Sequence, residues 1–192
     1  MKVYFKTFGC RTNIYDTELL KSYVKNYEIV NDESVADIIV VNSCTVTNGA
    51  DSGVRNYINS MRNSGKKVIL TGCGAVSKGD ELFKSSAIFG VLGASNKSKI
   101  DEMLGKSEPF YELGDLNFID KNIVSNYENH TKAFIKIQEG CDFACSYCII
   151  PSVRGFSRSI DEDIILKEAK ILASNGYSEI VLTGTNIGSY GK

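Results

Sequence analysis

Short apolar runs separated by amphipathic stretches constrain the fold of this chain more than any other feature. Residues 38–41 read Ile-Ile-Val-Val, a continuous β-branched run of the kind that is buried on both faces of a parallel sheet. Similar runs stand at residues 3–5, 68–70 and 89–92, and apolar residues at helical spacing lie between them. This alternation predicts an α/β fold with an open parallel sheet in the N-terminal half.

Two helix starts can be placed from capping patterns. Apolar residues at 19–24 recur at helical spacing, and Asn13 or Asp16 is the expected N-cap of that helix. Further along, residues 159–162 read Ser-Ile-Asp-Glu, which is a capping-box pattern. It predicts a second well-defined helix, which is expected to end at Gly176.

The chain divides into three parts. Residues 1–104 form the predicted N-terminal α/β domain, and residues 105–131 have weak periodicity and predict a linker with at most a short strand or turn. Residues 132–192 begin with an apolar strand pattern, continue through a helix and reach another strand pattern at 180–182. This order predicts the beginning of a (β/α) barrel. Two strands cannot close a barrel, so we expect the sequence to be part of a longer protein.

Three of the six cysteines are dispersed along the N-terminal domain. Cys10, Cys44 and Cys73 each stand just after a predicted strand. Because the carboxyl ends of parallel strands meet at one edge of a sheet, we expect these side chains to lie together. A shared metal site is the functional interpretation, and small apolar filling of the core is the alternative.

The other three cysteines form a cluster in one loop after a predicted strand. Cys141, Cys145 and Cys148 would supply three thiolates to an iron-sulfur cube and leave its fourth iron open for a ligand. A zinc site that includes His130 is an alternative, although His130 stands in a polar run typical of a solvated loop. Disulfides are disfavoured because the chain shows no apolar signal stretch.

Composition limits the class of protein. The chain has 43% hydrophobic and 23% charged residues with a net charge of -1, which is typical of a globular protein. No stretch predicts a membrane span, and a reducing cytoplasm is the expected location. The balanced charge gives no sign of a nucleic-acid partner.

The cysteine motifs resemble those of a known enzyme family. The Cys-x3-Cys-x2-Cys triplet, with Tyr147 before its last cysteine, resembles the radical S-adenosylmethionine enzymes. The run Ile-Ile-Pro-Ser-Val-Arg-Gly at 149–155 is similar to the methylthiotransferases in particular. Residues 9–13, 42–47 and 71–73 resemble the three N-terminal cysteine motifs of that family. Residues 74–75 depart from it, since Gly-Ala replaces a bulky residue and glutamine, but no cysteine is lost.

The resemblance implies two [4Fe-4S] clusters and S-adenosylmethionine as cofactors. The clustered triplet would bind S-adenosylmethionine and generate a radical, and the dispersed triplet would carry the transferred sulfur. The implied metal ligands are Cys10, Cys44, Cys73, Cys141, Cys145 and Cys148. The expected S-adenosylmethionine contacts are Tyr147, Gly184, Thr185 and Asn186, although residues 184–186 also fit an ordinary strand-to-helix turn. No side chain is expected to act as catalytic nucleophile or base.

The resemblance also implies partners. These are tRNA, bound by the full-length protein, and an electron donor such as flavodoxin or ferredoxin; no membrane is involved, and the oligomeric state is left open. Family branches act on threonylcarbamoyladenosine or isopentenyladenosine in tRNA, or on a ribosomal-protein aspartate. Residues 44–47 and 149–151 resemble the threonylcarbamoyladenosine branch most. Arg154 and Arg158 are expected to face RNA or the cofactor carboxylate, or to lie in a solvated loop.

A non-enzymatic zinc or iron-sulfur protein, such as an electron carrier or an RNA-binding module, is the rival class. Electron carriers normally ligate their cluster fully with protein side chains, so sets of three cysteines argue against that class.

Overall fold

The computed structural model describes residues 1–44, 48–128 and 130–192. Thr45, Val46 and Thr47, which carry part of the branch resemblance, lie outside the described residues. The N-terminal sheet has six parallel strands in the order β2-β1-β3-β4-β5-β6. These strands are β1 (Lys2–Thr7), β2 (Glu28–Ile29), β3 (Ile38–Ser43), β4 (Lys67–Gly72), β5 (Gly90–Leu92) and β6 (Phe110–Glu112).

Helices connect these strands. They are α1 (Arg11–Tyr23), α2 (Asn48–Asn63), α3 (Cys73–Lys84) and α4 (Ile100–Leu104), with short 3-10 helices at Glu33–Val35 and Ala94–Lys99. The prediction that Asn13 or Asp16 caps the first helix is wrong, because α1 starts at Arg11 with Cys10 at the N-cap position. The chain turns into the helix immediately after β1, so both predicted caps lie inside α1 with buried side chains.

The central strand β3 is buried on both faces, as its sequence predicts. Ile39 and Val41 pack into an apolar cluster on one face of the sheet, and Ile38 and Val40 pack into a second cluster on the other. All four side chains are fully shielded from solvent. The unbroken β-branched run therefore reflects two helical layers around one sheet.

The second domain contains a smaller sheet in the order β8-β7-β9. Its elements are β7 (Ala133–Glu139), α5 (Ile150–Arg154), β8 (Arg158–Ser159), α6 (Glu162–Ser174), β9 (Ile180–Gly184) and a 3-10 helix at Ile187–Ser189. Strand β9 is parallel to β7 across the α6 connection, whereas β8 is antiparallel to β7. The predicted capping box is wrong, since Asp161 is the N-cap of α6 and Ser159 pairs with Gln138 in the sheet.

The two domains share a continuous apolar core. Tyr15 and Leu19 of α1 pack with Phe134 and Ile135 of β7, and Leu172 of α6 joins the same cluster. The segment between the domains takes part in both, because it supplies β6 to the first sheet and the buried residues at 124 and 127 to the shared core. In the described part of the chain no helix combines the length and apolar character that a membrane crossing requires.

Candidate metal centres and cofactor cavity

The three dispersed cysteines meet at the carboxyl edge of the N-terminal sheet. Cys10 lies just beyond β1, Cys44 directly follows β3, and Cys73 is the first residue of α3 after β4. Ser43 pairs with Gly72 in the sheet, so Cys44 and Cys73 occupy equivalent positions at the ends of neighbouring strands. Cys44 and Cys73 are buried, and Cys10 is exposed.

Close backbone approach at Gly9 brings two of these thiols together. Gly9 has a φ of 112°, and a Cβ atom built on it would lie 2.2 Å from the Cβ atom of Cys44. Only glycine fits such a position. A hydrogen bond with Cys44 lowers the pKa of Cys10 to about 5, against the partial desolvation of the thiol by its neighbours, with further lowering by the Asn13 backbone and the charge of Arg154. Cys10 is therefore predisposed to the thiolate form that binds metals.

A cavity of about 700 Å³ lies between the two domains. The dispersed cysteines and Arg11 line it from the first domain, and Arg154 and the end of β9 at residues 183–185 line it from the second. Both linings stand at the carboxyl ends of parallel strands, where α/β folds place their ligands.

The clustered cysteines lie in the loop between β7 and α5. Gly140 starts this loop with a φ of 79°, and a Cβ atom there would lie 1.9 Å from the carbonyl oxygen of Phe156. Cys145 is exposed, while Cys141 and Cys148 are half-buried. The backbone N–H of Cys148 donates to the carbonyl of Cys145 at 3.0 Å, which curls the loop back on itself.

The four residues expected to contact S-adenosylmethionine lie in different surroundings. Gly184 and Thr185 line the interdomain cavity. The amide nitrogen Nδ2 of Asn186 lies 3.7 Å from Sγ of Cys141, and its backbone N–H donates to Oε1 of Gln138 at 2.7 Å. Tyr147 is 91% exposed on the surface of the cysteine loop. Their role in cofactor binding stays a prediction.

Arg154 is buried, so the solvated-loop expectation for this residue is wrong, whereas a contact with RNA or the cofactor carboxylate stays a prediction. Its side chain is 4% exposed, lines the cavity and contacts residues of both domains. Nε donates to Sγ of Cys73 at 3.0 Å, and Nη2 donates to Oδ1 of Asn13 at 2.7 Å. Nη1 donates to carboxylate oxygens of Asp16 at 2.7 Å and Glu139 at 2.6 Å.

Arg158 is half-buried, which differs from the expectation of a solvated loop, and a contact with RNA or the cofactor carboxylate stays a prediction. Its Nη2 donates to the backbone carbonyl of Arg154 at 3.0 Å and lies 3.8 Å from Oε2 of Glu139. Burial lowers its pKa.

Two buried lysines complete the ion network around Arg154. Nζ of Lys136 lies 2.7 Å from Asp16 and 3.1 Å from Glu139, and Nζ of Lys97 lies 3.3 Å from Asp16. Burial opposes ionisation of the carboxyls, yet Lys136, Lys97 and Arg154 hold the pKa of Asp16 well below its usual range. The same cations lower the pKa of Glu139 to about 2. The two carboxylates therefore stay ionised next to the thiol of Cys73, and the basic side chains around them outnumber them. Burial lowers the pKa of Lys97.

Sequence reasoning missed this network, although one signal was present. Lys136 interrupts an otherwise apolar strand pattern, and a charged residue at such a position is buried only when it is paired. Asp16 and Lys97 carry no comparable signal, because each stands in a polar context that reads as solvated.

The donor set of the first domain fits an iron-sulfur cluster. Thiolates are soft ligands that favour such clusters, zinc or copper(I). Among the described residues, no three Cys, His, Asp or Glu side chains surround a point as ligands of one metal ion do. A four-iron cube instead takes each thiolate on a separate iron, and the cysteine-lined cavity provides room between them.

Comparisons with known proteins agree with this reading. The profile described as Uncharacterized protein family UPF0004 matches residues 2–93, and that of the Radical SAM superfamily matches residues 135–191. A solved radical S-adenosylmethionine methyltransferase, TsrM from Kitasatospora setae, superposes with a TM-score of 0.65 over 98% of this chain and 48% of its own, at 14% identity. That likeness establishes the fold alone.

Curated relatives cover the whole chain. A Helicobacter pylori protein, provisionally named a methylthiotransferase, is 52% identical over 100% of this chain and 46% of its own length. The threonylcarbamoyladenosine tRNA methylthiotransferase MtaB of Aquifex aeolicus is 39% identical over 100% of this chain and 49% of its own length. A tRNA-2-methylthio-N(6)-dimethylallyladenosine synthase of Campylobacter hominis is 37% identical over 99% of this chain and 46% of its own length. This chain thus spans about half the length of these relatives. By its two domains and its relatives, it belongs to the radical S-adenosylmethionine methylthiotransferase family.

Proposed function

We propose that the full-length protein is a tRNA methylthiotransferase that places a methylthio group on carbon 2 of threonylcarbamoyladenosine next to the anticodon. S-adenosylmethionine bound at an iron-sulfur cluster would supply the radical chemistry and the methyl group. Cys141, Cys145 and Cys148 would hold that cluster. A second cluster would be held by Cys10, Cys44 and Cys73. Such a tRNA substrate is in keeping with a cytoplasmic enzyme.

One observation carries this proposal. The dispersed cysteines and the end of β9 at residues 183–185 line the same cavity, although they come from different domains. A transfer reaction needs its sulfur donor and its radical source to face a common substrate, because orientation of the reacting groups supplies much of the rate. The interdomain cavity supports this arrangement, because its lining ends at Thr185, next to Asn186, whose Nδ2 lies 3.7 Å from Sγ of Cys141.

Arg11 favours the threonylcarbamoyl branch over the isopentenyl branch. It is exposed, it lines the cavity beside Cys10, and among the described residues we find no carboxylate in contact with it. The threonylcarbamoyl group carries a carboxylate, which a guanidinium can bind with two parallel hydrogen bonds. The isopentenyl group is a hydrocarbon and offers Arg11 no partner. MtaB proteins of Aquifex aeolicus and Bacillus subtilis, 39% and 35% identical to this chain, are named for the threonylcarbamoyl substrate.

Nucleoside mass spectrometry of tRNA from cells that lack the full-length gene tests the substrate. Loss of the methylthio-threonylcarbamoyladenosine peak is expected. Loss of the methylthio-isopentenyladenosine peak instead would assign the protein to the other branch. In purified enzyme, Arg11→Ala should raise KM for the threonylcarbamoyl substrate by about tenfold or more, because one charge-assisted contact contributes about 1.5–3 kcal/mol.

Anaerobic reconstitution tests the clusters. The full-length protein should bind about eight irons if both four-iron clusters form. Stoichiometric zinc without a visible chromophore would instead support the non-enzymatic alternative and overturn the proposal.

A further inference from the structure

We propose that Arg154 is a positioning residue for the dispersed cysteines, holding the sulfur of Cys73 and anchoring it to ion pairs that cross the domain boundary. This inference rests on the proposed function, because it assumes that Cys10, Cys44 and Cys73 bind a cluster. Arg154 belongs to the second domain, whereas the sulfur it contacts belongs to the first. The clustered cysteines therefore share a rigid connection with the opposite cysteine set.

The contact with sulfur is specific in its geometry. Nε of Arg154 donates to Sγ of Cys73 at 3.0 Å, and both residues are buried. A planar guanidinium can aim one N–H at sulfur while its other nitrogens bind carboxylates. Nη1 does so here, since it donates to Asp16 and Glu139. The side chain is thus held from three directions and has little freedom to leave the sulfur.

The anchors of Arg154 come from both domains. Asp16 and Asn13 lie on α1, whereas Glu139 lies at the end of β7, immediately before the loop of clustered cysteines. Lys136 of β7 reaches across to Asp16 at 2.7 Å and reinforces the same junction. Removal of Arg154 would therefore have two effects at once: it would loosen the junction between the domains, and it would leave Sγ of Cys73 without this hydrogen bond.

A cation that donates to a ligand sulfur also affects the cluster electronically. Hydrogen bonds to sulfur and nearby positive charge favour the more negative, reduced state of an iron-sulfur cluster. Arg154 should therefore raise the reduction potential of the cluster on the dispersed cysteines. A merely structural residue would affect stability without moving that potential.

The test uses the full-length protein with Cys141, Cys145 and Cys148 changed to alanine, so that only the other cluster contributes a signal. Arg154→Gln and Arg154→Lys are compared with Arg158→Gln after anaerobic reconstitution. Arg158→Gln is the matched control. It also removes a cation near Glu139, at 3.8 Å, but the hydrogen bonds of Arg158 go to backbone carbonyls and not to sulfur. Iron content and the midpoint potential from paramagnetic resonance titration are measured.

We expect Arg154→Gln to lower bound iron by about half or more and to shift the potential of the remaining cluster to more negative values. Arg154→Lys keeps the charge and should retain the iron, with a smaller shift in the same direction, which covers the case in which the glutamine variant fails to fold. Arg158→Gln should leave both measurements near those of the parent. A potential in Arg154→Lys equal to that of the parent would overturn this inference, as would a folded Arg154→Gln protein that matches Arg158→Gln in iron content and potential. Absence of a cluster in the parent would instead refute the proposed function.

Discussion

Replacing Asp16 with asparagine should destabilise the protein by about 3–5 kcal/mol, because it leaves buried cations without their principal partner. Asp16 is 2% exposed and lies 2.7 Å from both Lys136 and Arg154 and 3.3 Å from Lys97. After the substitution, these three cations face one remaining buried carboxylate, that of Glu139. The N–H groups of the asparagine amide would also face the N–H groups of these cations, so that donor would meet donor.

The magnitude follows from opposing terms. At these separations each contact with Asp16 is worth about 5–6 kcal/mol at an effective dielectric constant of about 20. Desolvation of a buried carboxylate costs several kcal/mol, which cancels much of that attraction. The remaining loss is mainly the cost of unpaired buried charge, which is about 3–5 kcal/mol when one partner of a buried pair is removed.

Urea unfolding followed by circular dichroism measures this loss, with Asp80→Asn as the matched control. Asp80 pairs with Lys84 at 2.7 Å, the same distance, but the two side chains are 64% and 74% exposed. An exposed pair contributes about 0–1 kcal/mol, so the control should lose little. Equal losses in the two variants, or a more stable Asp16→Asn protein, would refute the argument that the buried network joins the domains.

Three further predictions concern protonation and the cysteine sites. Burial raises the pKa of Glu168 to about 7, so between pH 4.5 and 7 the folded state binds a proton that the unfolded state has lost, and the free energy of unfolding should fall as pH rises through this range. Glu168→Gln should remove this pH dependence in urea unfolding. An unchanged pH profile would contradict the prediction. Cys44→Ala in the full-length protein should reduce reconstituted iron from about eight to about four per chain, and full retention would show that Cys44 is no ligand. Gly9→Ala should cause a similar loss of iron, because its Cβ atom would lie 2.2 Å from that of Cys44; normal iron content would mean that the loop relaxes at no cost.

The sheet was predictable because local sequence determines its strands. The β-branched run of β3 needs no knowledge of distant residues, and the cysteine positions follow once the strands are parallel. Strand β6 was less visible, since three residues carry little periodicity and its pairing with β5 depends on the rest of the sheet.

The ion network could not be predicted, because its members are distant in sequence. Arg154 and Asp16 are separated by 138 positions, and their contact depends on how α1 packs against the second domain. A basic residue in a loop reads as solvated unless its partners are known. The same holds for Cys73 and Arg154, whose contact arises only when the two domains share a core.

The parallel pairing of β1, β3 and β4 sets the distances between the three dispersed cysteines. Adjacent strands lie about 4.8 Å apart. Cys44 follows the middle strand, β3, whereas Cys10 and Cys73 follow its two neighbours, β1 and β4. The spacing of the three thiols is therefore set by main-chain hydrogen bonds, which form whatever side chains the strands carry. Helix and core residues around the sheet can change during evolution without altering that spacing, whereas an inserted or deleted residue within β3 would rotate Cys44 to the opposite face.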